Sequence, residues 1–123
     1  LMENARRVRV DVLEATHNHF AAVCTIAAAM IELGLTPDTW EALGAGSLLE
    51  VYEPTCGEDA FPMEEAMRIQ AHYVVSFFKA FLVGDSAWEG FLTAEYASTC
   101  EPDVEHFTGN EPAGVLSPPC GAE

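Results

Sequence analysis

Between Arg7 and Val12 charged and β-branched side chains alternate one for one, as Arg7, Val8, Arg9, Val10, Asp11 and Val12, with Leu13 and Glu14 following. This period of two specifies a β-strand with one face open to solvent, in the manner of an edge. A strand leaves its backbone donors and acceptors unmet until another strand pairs with it, so a lone strand is not a stable element. No second segment alternates as clearly, and Leu48 to Tyr52 is only a weak candidate. The expectation is that the strand's partners precede Leu1 and that the chain is the C-terminal piece of a larger domain.

The segments that follow read as helix. Ala21 to Leu33 is Ala-rich and nearly free of charge, with Val23, Ile26, Ala27, Met30 and Ile31 at helical spacing and Gly34 as a stop, which predicts a buried helix. Thr36 and Pro37 mark the start of a short helix carrying Trp40 and Leu43, with the Thr36 side chain as its cap. Glu53 to Phe61, with Pro54 and Gly57, reads as a loop. Pro62 opens the longest helix, which carries Glu64 and Glu65 in its first turn and ends at Gly84. Its apolar stripe runs through Met67, Ala71, Val74, Phe78 and Phe81, widened by Ile69, Tyr73, Phe77 and Ala80. Ser86 and Glu89 have the spacing of a capping box ahead of a short helix with Trp88, Phe91 and Leu92. The expected division is a structured portion over 1–97 and an irregular, acidic, Pro- and Gly-rich tail over 98–123.

Charge narrows the set of partners. Twenty acids against five Lys and Arg give a net charge of -15, and no Lys or Arg follows Lys79. Such a surface repels phosphate backbones and anionic headgroups, which excludes nucleic-acid and membrane-surface binding. The longest apolar-rich stretch, Tyr73 to Val83, falls short of the roughly 20 residues that a spanning helix requires. Cys24, Cys56, Cys100 and Cys120 are too far apart for a CxxC site, and three disulfide pairings are open. An even number of Cys in an acidic chain favours an extracellular or periplasmic setting, with a cytoplasmic protein holding four separate thiols as the alternative. A Cys24–Cys56 bridge would pin the intervening helical region to the first helix and contribute roughly 3 to 4 kcal/mol in the loop-entropy model.

Chemistry concentrates in Thr16-His17-Asn18-His19-Phe20, directly after the strand and before the first helix. Histidine at a strand exit is suited to general-base work, because its ordinary pKa lies near neutrality and the scaffold holds it in place. The order of elements here, with His17-Asn18-His19-Phe20 after the strand and Phe77-Phe78-Lys79-Ala80-Phe81-Leu82-Val83-Gly84-Asp85 closing the long helix, resembles the C-terminal part of bacterial α/β-hydrolases. The nearest likeness is to the group of dienelactone hydrolases and platelet-activating-factor acetylhydrolases, over about residues 7 to 97. In that group a His-x-x-Phe loop after the last strand carries the triad histidine.

The resemblance implies an α/β-hydrolase parent, of which this chain supplies a mainly helical fragment: one N-terminal strand, a helical insertion, a closing helix and the tail. It gives His17 the role of base and then acid toward a serine nucleophile. His19 and Asn18 are assigned to pocket lining or to support of His17 and Phe20 to a packing anchor, while Trp40 either forms the wall of an acyl or alcohol pocket or belongs to the core of the helical insertion. The implied reaction is hydrolysis of a small-molecule ester, lactone or thioester through an acyl-serine intermediate, with no metal or organic cofactor. The chain departs from the pattern in one respect. Gly44-Ala45-Gly46-Ser47 is not a Gly-x-Ser-x-Gly elbow and follows the histidine, whereas the family order is Ser, acid, His. Nucleophile and acid are therefore expected before Leu1, and the chain alone is expected to be inactive.

Two further classes fit parts of the sequence. His17-x-His19 on an extended segment would direct two imidazoles to one side, where His72, His106 or a carboxylate could complete a metal shell. The acidic tail lacks the spacing and the glycine of an EF-hand loop. A helical protein-interaction module would use an exposed aromatic stripe on Phe77, Phe78 and Phe81.

Overall fold

The strand's partner lies inside the chain. In the computed structural model, which describes residues 6–109 and 114–121, β1 (Arg7–Val12) pairs antiparallel with β2 (Val104–Gly109). Arg7 stands opposite Gly109 and Val12 opposite Val104. The inference that the strand lacks a mate in this chain is corrected by this pairing, and so is the irregular tail. Val104, His106 and Thr108 are half-buried while Glu105 and Phe107 are exposed, so the period of two is present in β2. It is masked in the sequence by a central histidine and by Pro102, Gly109 and Pro112 close by. Outside the pair, the Arg9 guanidinium covers the Phe107 ring at 4.2 Å and bonds Asp11 through Nε at 3.0 Å. That bond holds the Asp11 carboxyl below its ordinary range, so this exposed pair contributes most at neutral pH and its contribution fades on acidification.

The remaining elements are α1 (Val23–Glu32), α2 (Pro37–Ala42), α3 (Ser47–Cys56), α4 (Met63–Phe78) and α5 (Ala94–Cys100). The described chain is thus mainly helical with one two-stranded sheet. It divides into two compact units, residues 14–68 and residues 1–13 with 69–123, and α4 runs from one into the other. No described helix is long and apolar enough to cross a membrane.

In the unit of residues 14–68, α1 is helical as its pattern predicts, yet only Ala27 of it is buried, and Leu33 just beyond is 82% exposed. A lack of charge was the wrong indicator, since Ala favours helix without needing burial. Thr36 makes no side-chain cap for α2; the Thr39 hydroxyl instead donates to the Thr36 carbonyl at 2.7 Å. The weak strand at Leu48 to Tyr52 and the start of the expected loop at Glu53 are both replaced by α3. Pro54 sits in its final turn, where it removes a single intrahelical donor. A Cys24–Cys56 disulfide joins α1 to α3.

In the other unit, α4 continues into a π turn over Lys79–Val83 and stops at Gly84, whose φ of +81° is the left-handed conformation glycine tolerates. The buried face of the helix is Ile69, His72, Tyr73, Ser76 and Ala80, whereas Met67, Val74 and Phe78 of the expected stripe are exposed, Phe78 by half. An almost wholly apolar circumference gave periodicity no preferred side, and two polar residues on the true core face turned the reading away from it. His72 is stacked on Tyr96 at 5.2 Å with Phe91 edge-on at 5.4 Å. Asp85 rather than Ser86 caps the 3-10 segment Ser86–Leu92, accepting from the Ala87 N–H. Thr93 caps α5, its hydroxyl accepting the Tyr96 N–H at 3.1 Å.

The segment 114–121 is tied down by a Cys100–Cys120 disulfide and by the Ser117 hydroxyl against that of Thr93 at 2.8 Å. It passes so close to Gly90 that a Cβ there would lie 2.8 Å from the Pro118 ring and collide with the Leu116 carbonyl. Gly90→Ala is expected to lower the unfolding free energy by about 1 to 3 kcal/mol in a urea titration. Alkylation of the denatured, unreduced chain should find no free thiol, and reduction should cost about 3 to 4 kcal/mol per bridge. Labelling of any of the four cysteines before reduction contradicts these pairings.

Candidate functional site

The route out of β1 positions the histidines. Leu13 is the last residue bound to the β2 side, its N–H donating to the Asp103 carbonyl at 2.8 Å. Glu14 then reverses the chain with a φ of 62°, a left-handed conformation that costs a residue with a Cβ roughly 1 to 2 kcal/mol. Three residues later His17–Phe20 forms a 3-10 turn, so the expected loop is a hydrogen-bonded turn instead.

That turn sorts the two imidazoles. The Thr16 N–H donates to His19 Nδ1 at 2.9 Å, the Thr16 hydroxyl lies 3.0 Å from the same nitrogen, and the His19 N–H returns to the Thr16 carbonyl at 3.0 Å. The bond to Nδ1 is the side-chain arm of a capping box, with histidine in the place of the usual Glu or Gln, and the bond to the Thr16 carbonyl closes the 3-10 turn. A ring nitrogen that accepts an N–H carries no proton of its own, which puts the proton of the neutral ring on Nε2. His19 is 0% exposed, with Phe61 edge-on at 6.3 Å, and its Nε2 has no hydrogen-bond partner among the described residues. His17 opens the turn and is exposed, and its ring makes no hydrogen bond among the described residues. Asn18 and Phe20 are half-buried, and the Asn18 carbonyl accepts the Ala21 N–H.

Thr16, inside the segment singled out from the sequence, and Phe61, from further along the chain, hold His19 in place, a role the sequence reading did not assign to either. Thr16-x-x-His19 carried a legible signal, the spacing of a capping box. The extended His-x-His arrangement expected of a metal site is corrected, because a 3-10 turn leaves one ring in solvent and encloses the other. Among the described residues no group of three His, Cys, Asp or Glu side chains could hold a metal ion. His72 is enclosed by aromatic rings, and His106 lies 6.0 Å from the Tyr73 ring. Ser47 begins α3 after a helix and a turn, a context unlike the strand-to-helix elbow of a serine nucleophile.

Trp40 is buried, and its indole N–H donates to the Leu35 carbonyl at 2.7 Å. It forms one wall of a cavity of about 150 Å³ among α1, α2 and α3, together with Val23, Ala27, Met30, Val51 and Tyr52. No protein-family model, curated protein or solved structure matches the chain.

Replacing His19 by Ala removes the acceptor for the Thr16 N–H and opens a hole in a fully buried position. We expect a loss of about 2 to 4 kcal/mol in unfolding free energy. His17→Ala at the exposed position should stay within about 0.5 kcal/mol of the parent. Equal losses in chemical denaturation would contradict the division between the two rings.

Proposed function

We propose that the chain contributes the general base of a serine hydrolase acting on an ester, lactone or thioester, with His17 as that base. The observation that carries the reading is the placement of His17: exposed, free of other hydrogen bonds, and fixed on a turn between a strand and a helix. A triad histidine must reach a serine oxygen and a carboxylate that come from elsewhere in the fold, which requires both ring nitrogens to be uncommitted in the part that bears it. His19 meets neither condition and serves as the turn's internal brace.

Two features of the unit holding β1 support a larger domain. The β1 edge away from β2 has no backbone partner among the described residues. Apolar side chains at Val74, Val75 and Phe78 stand exposed on one helix, a surface that soluble domains ordinarily cover. In this reading residues preceding Leu1 supply the nucleophile, the acid, the oxyanion donors and the cover for that surface. His17 takes the proton from the serine hydroxyl as it attacks the carbonyl, hands it to the leaving alcohol or thiol, and repeats the exchange with water. The two disulfides support an extracellular or periplasmic setting.

The test is made in the polypeptide that includes the residues before Leu1, with a chromogenic short-chain ester as substrate. His17→Ala should lower kcat by about 10,000-fold with the unfolding midpoint unchanged, because the base acts only in the chemical steps. Activity within tenfold of the parent contradicts the assignment.

A further inference from the structure

The geometry points to a ligand site in the cavity among α1, α2 and α3, built for a neutral apolar group the size of a phenyl ring or a short branched alkyl chain. This inference concerns binding alone and stands whether or not His17 is a catalytic base. Its first support is chemical. Every lining residue is aliphatic, aromatic or methionine. The Trp40 N–H is already spent on the Leu35 carbonyl at 2.7 Å. Beyond the Met30 thioether, the Tyr52 hydroxyl is the one heteroatom left on the lining side chains, which is fewer than the two to four partners an ordered water needs. A polar ligand entering here would lose its hydration without replacement, whereas an apolar one loses only unfavourable hydration.

The second support is size. The pocket opens to solvent past the exposed Ile26 and Leu48, and its volume of about 150 Å³ is on the scale of apolar protein cavities that take up benzene. A ring or alkyl group of about six to eight heavy atoms fills such a space, and longer chains would have to protrude.

The third is rigidity. The Cys24–Cys56 disulfide joins two of the helices that line the cavity, with Cys24 adjoining Val23 and Cys56 one turn beyond Tyr52. Trp40 is held edge-on against Tyr52 at 5.3 Å, so the third wall is fixed as well. Bracing of this kind limits movement of the walls and so lowers the ordering cost a ligand must meet.

Charge decides between neutral and anionic ligands of the same shape. The chain carries a net charge of -15, and no Lys or Arg lines the cavity to receive a carboxylate. Free fatty or aromatic acids are therefore disfavoured against hydrocarbons and neutral aryl groups.

The experiment uses the full chain with its disulfides intact and Trp88→Phe, so that Trp40 is the sole indole. Toluene should shift Trp40 emission saturably with a dissociation constant of about 0.1 to 1 mM, and benzoate at the same concentrations should leave it unchanged. Ala27→Leu fills the cavity and should weaken toluene at least tenfold. Should that variant fail to fold, Val51→Thr, which keeps the shape and adds a hydroxyl, should weaken toluene several-fold with the near-UV spectrum intact. Absence of a saturable toluene response, equal binding of benzoate, or toluene binding indifferent to the variant that folds overturns the proposal.

Discussion

Antiparallel pairing of Arg7–Val12 with Val104–Gly109 is the constraint on which one of the two units rests. It joins positions as far apart as Arg7 and Gly109, and the Thr108 hydroxyl donates to the Arg7 carbonyl across 101 residues of chain. Closing a loop of that length costs about 4 kcal/mol in chain entropy beyond a constant, so the contact cannot be held by six residue pairs alone. It is supported by α5, which packs against β2 and whose last residue is disulfide-bonded to Cys120, and by Tyr73 of α4 against the His106 ring at 6.0 Å. The Leu13 N–H extends the pairing by one bond, to Asp103, before Glu14 turns the chain away. The strand is thus anchored up to the residue from which the histidine segment departs.

Much of the helical architecture was legible because it depends on local signals. Pro37, Pro62, Gly34 and Gly84 punctuate the helices where steric rules place them. What was illegible depends on tertiary choice. The face of α4 could not be read from an apolar residue count, because its core side includes His72 and Ser76 while Val74, Val75 and Phe78 look outward. α3 was hidden by Pro54, whose penalty is small in a last turn, and β2 by a histidine and neighbouring Pro and Gly. The Cys24–Cys56 bridge singled out in the sequence is present and joins α1 to α3, although spacing alone left three pairings open.

The candidate site shows the same division. The family resemblance gave His17 and His19 different roles, base and support, but nothing in the residues themselves showed which ring would be enclosed, since two residues apart on a strand they share a face, and on a 3-10 turn they do not. The turn exists because the Thr16 N–H finds Nδ1 of His19, a local hydrogen bond that commits one imidazole to structure. With that ring enclosed, the other is left available in solvent. Burial of one histidine and freedom of the other are therefore two consequences of a single bond.

The imidazole nitrogens report on this directly, through long-range proton–nitrogen correlation spectra of the chain at neutral pH. The account predicts that His19 is a single fixed tautomer, with the proton on Nε2, slow exchange with solvent and Nδ1 shifted as an acceptor. His17 should show rapid solvent exchange and nitrogen shifts averaged over both tautomers. A His19 ring that exchanges freely, or a His17 ring locked in one tautomer within this chain, would contradict it.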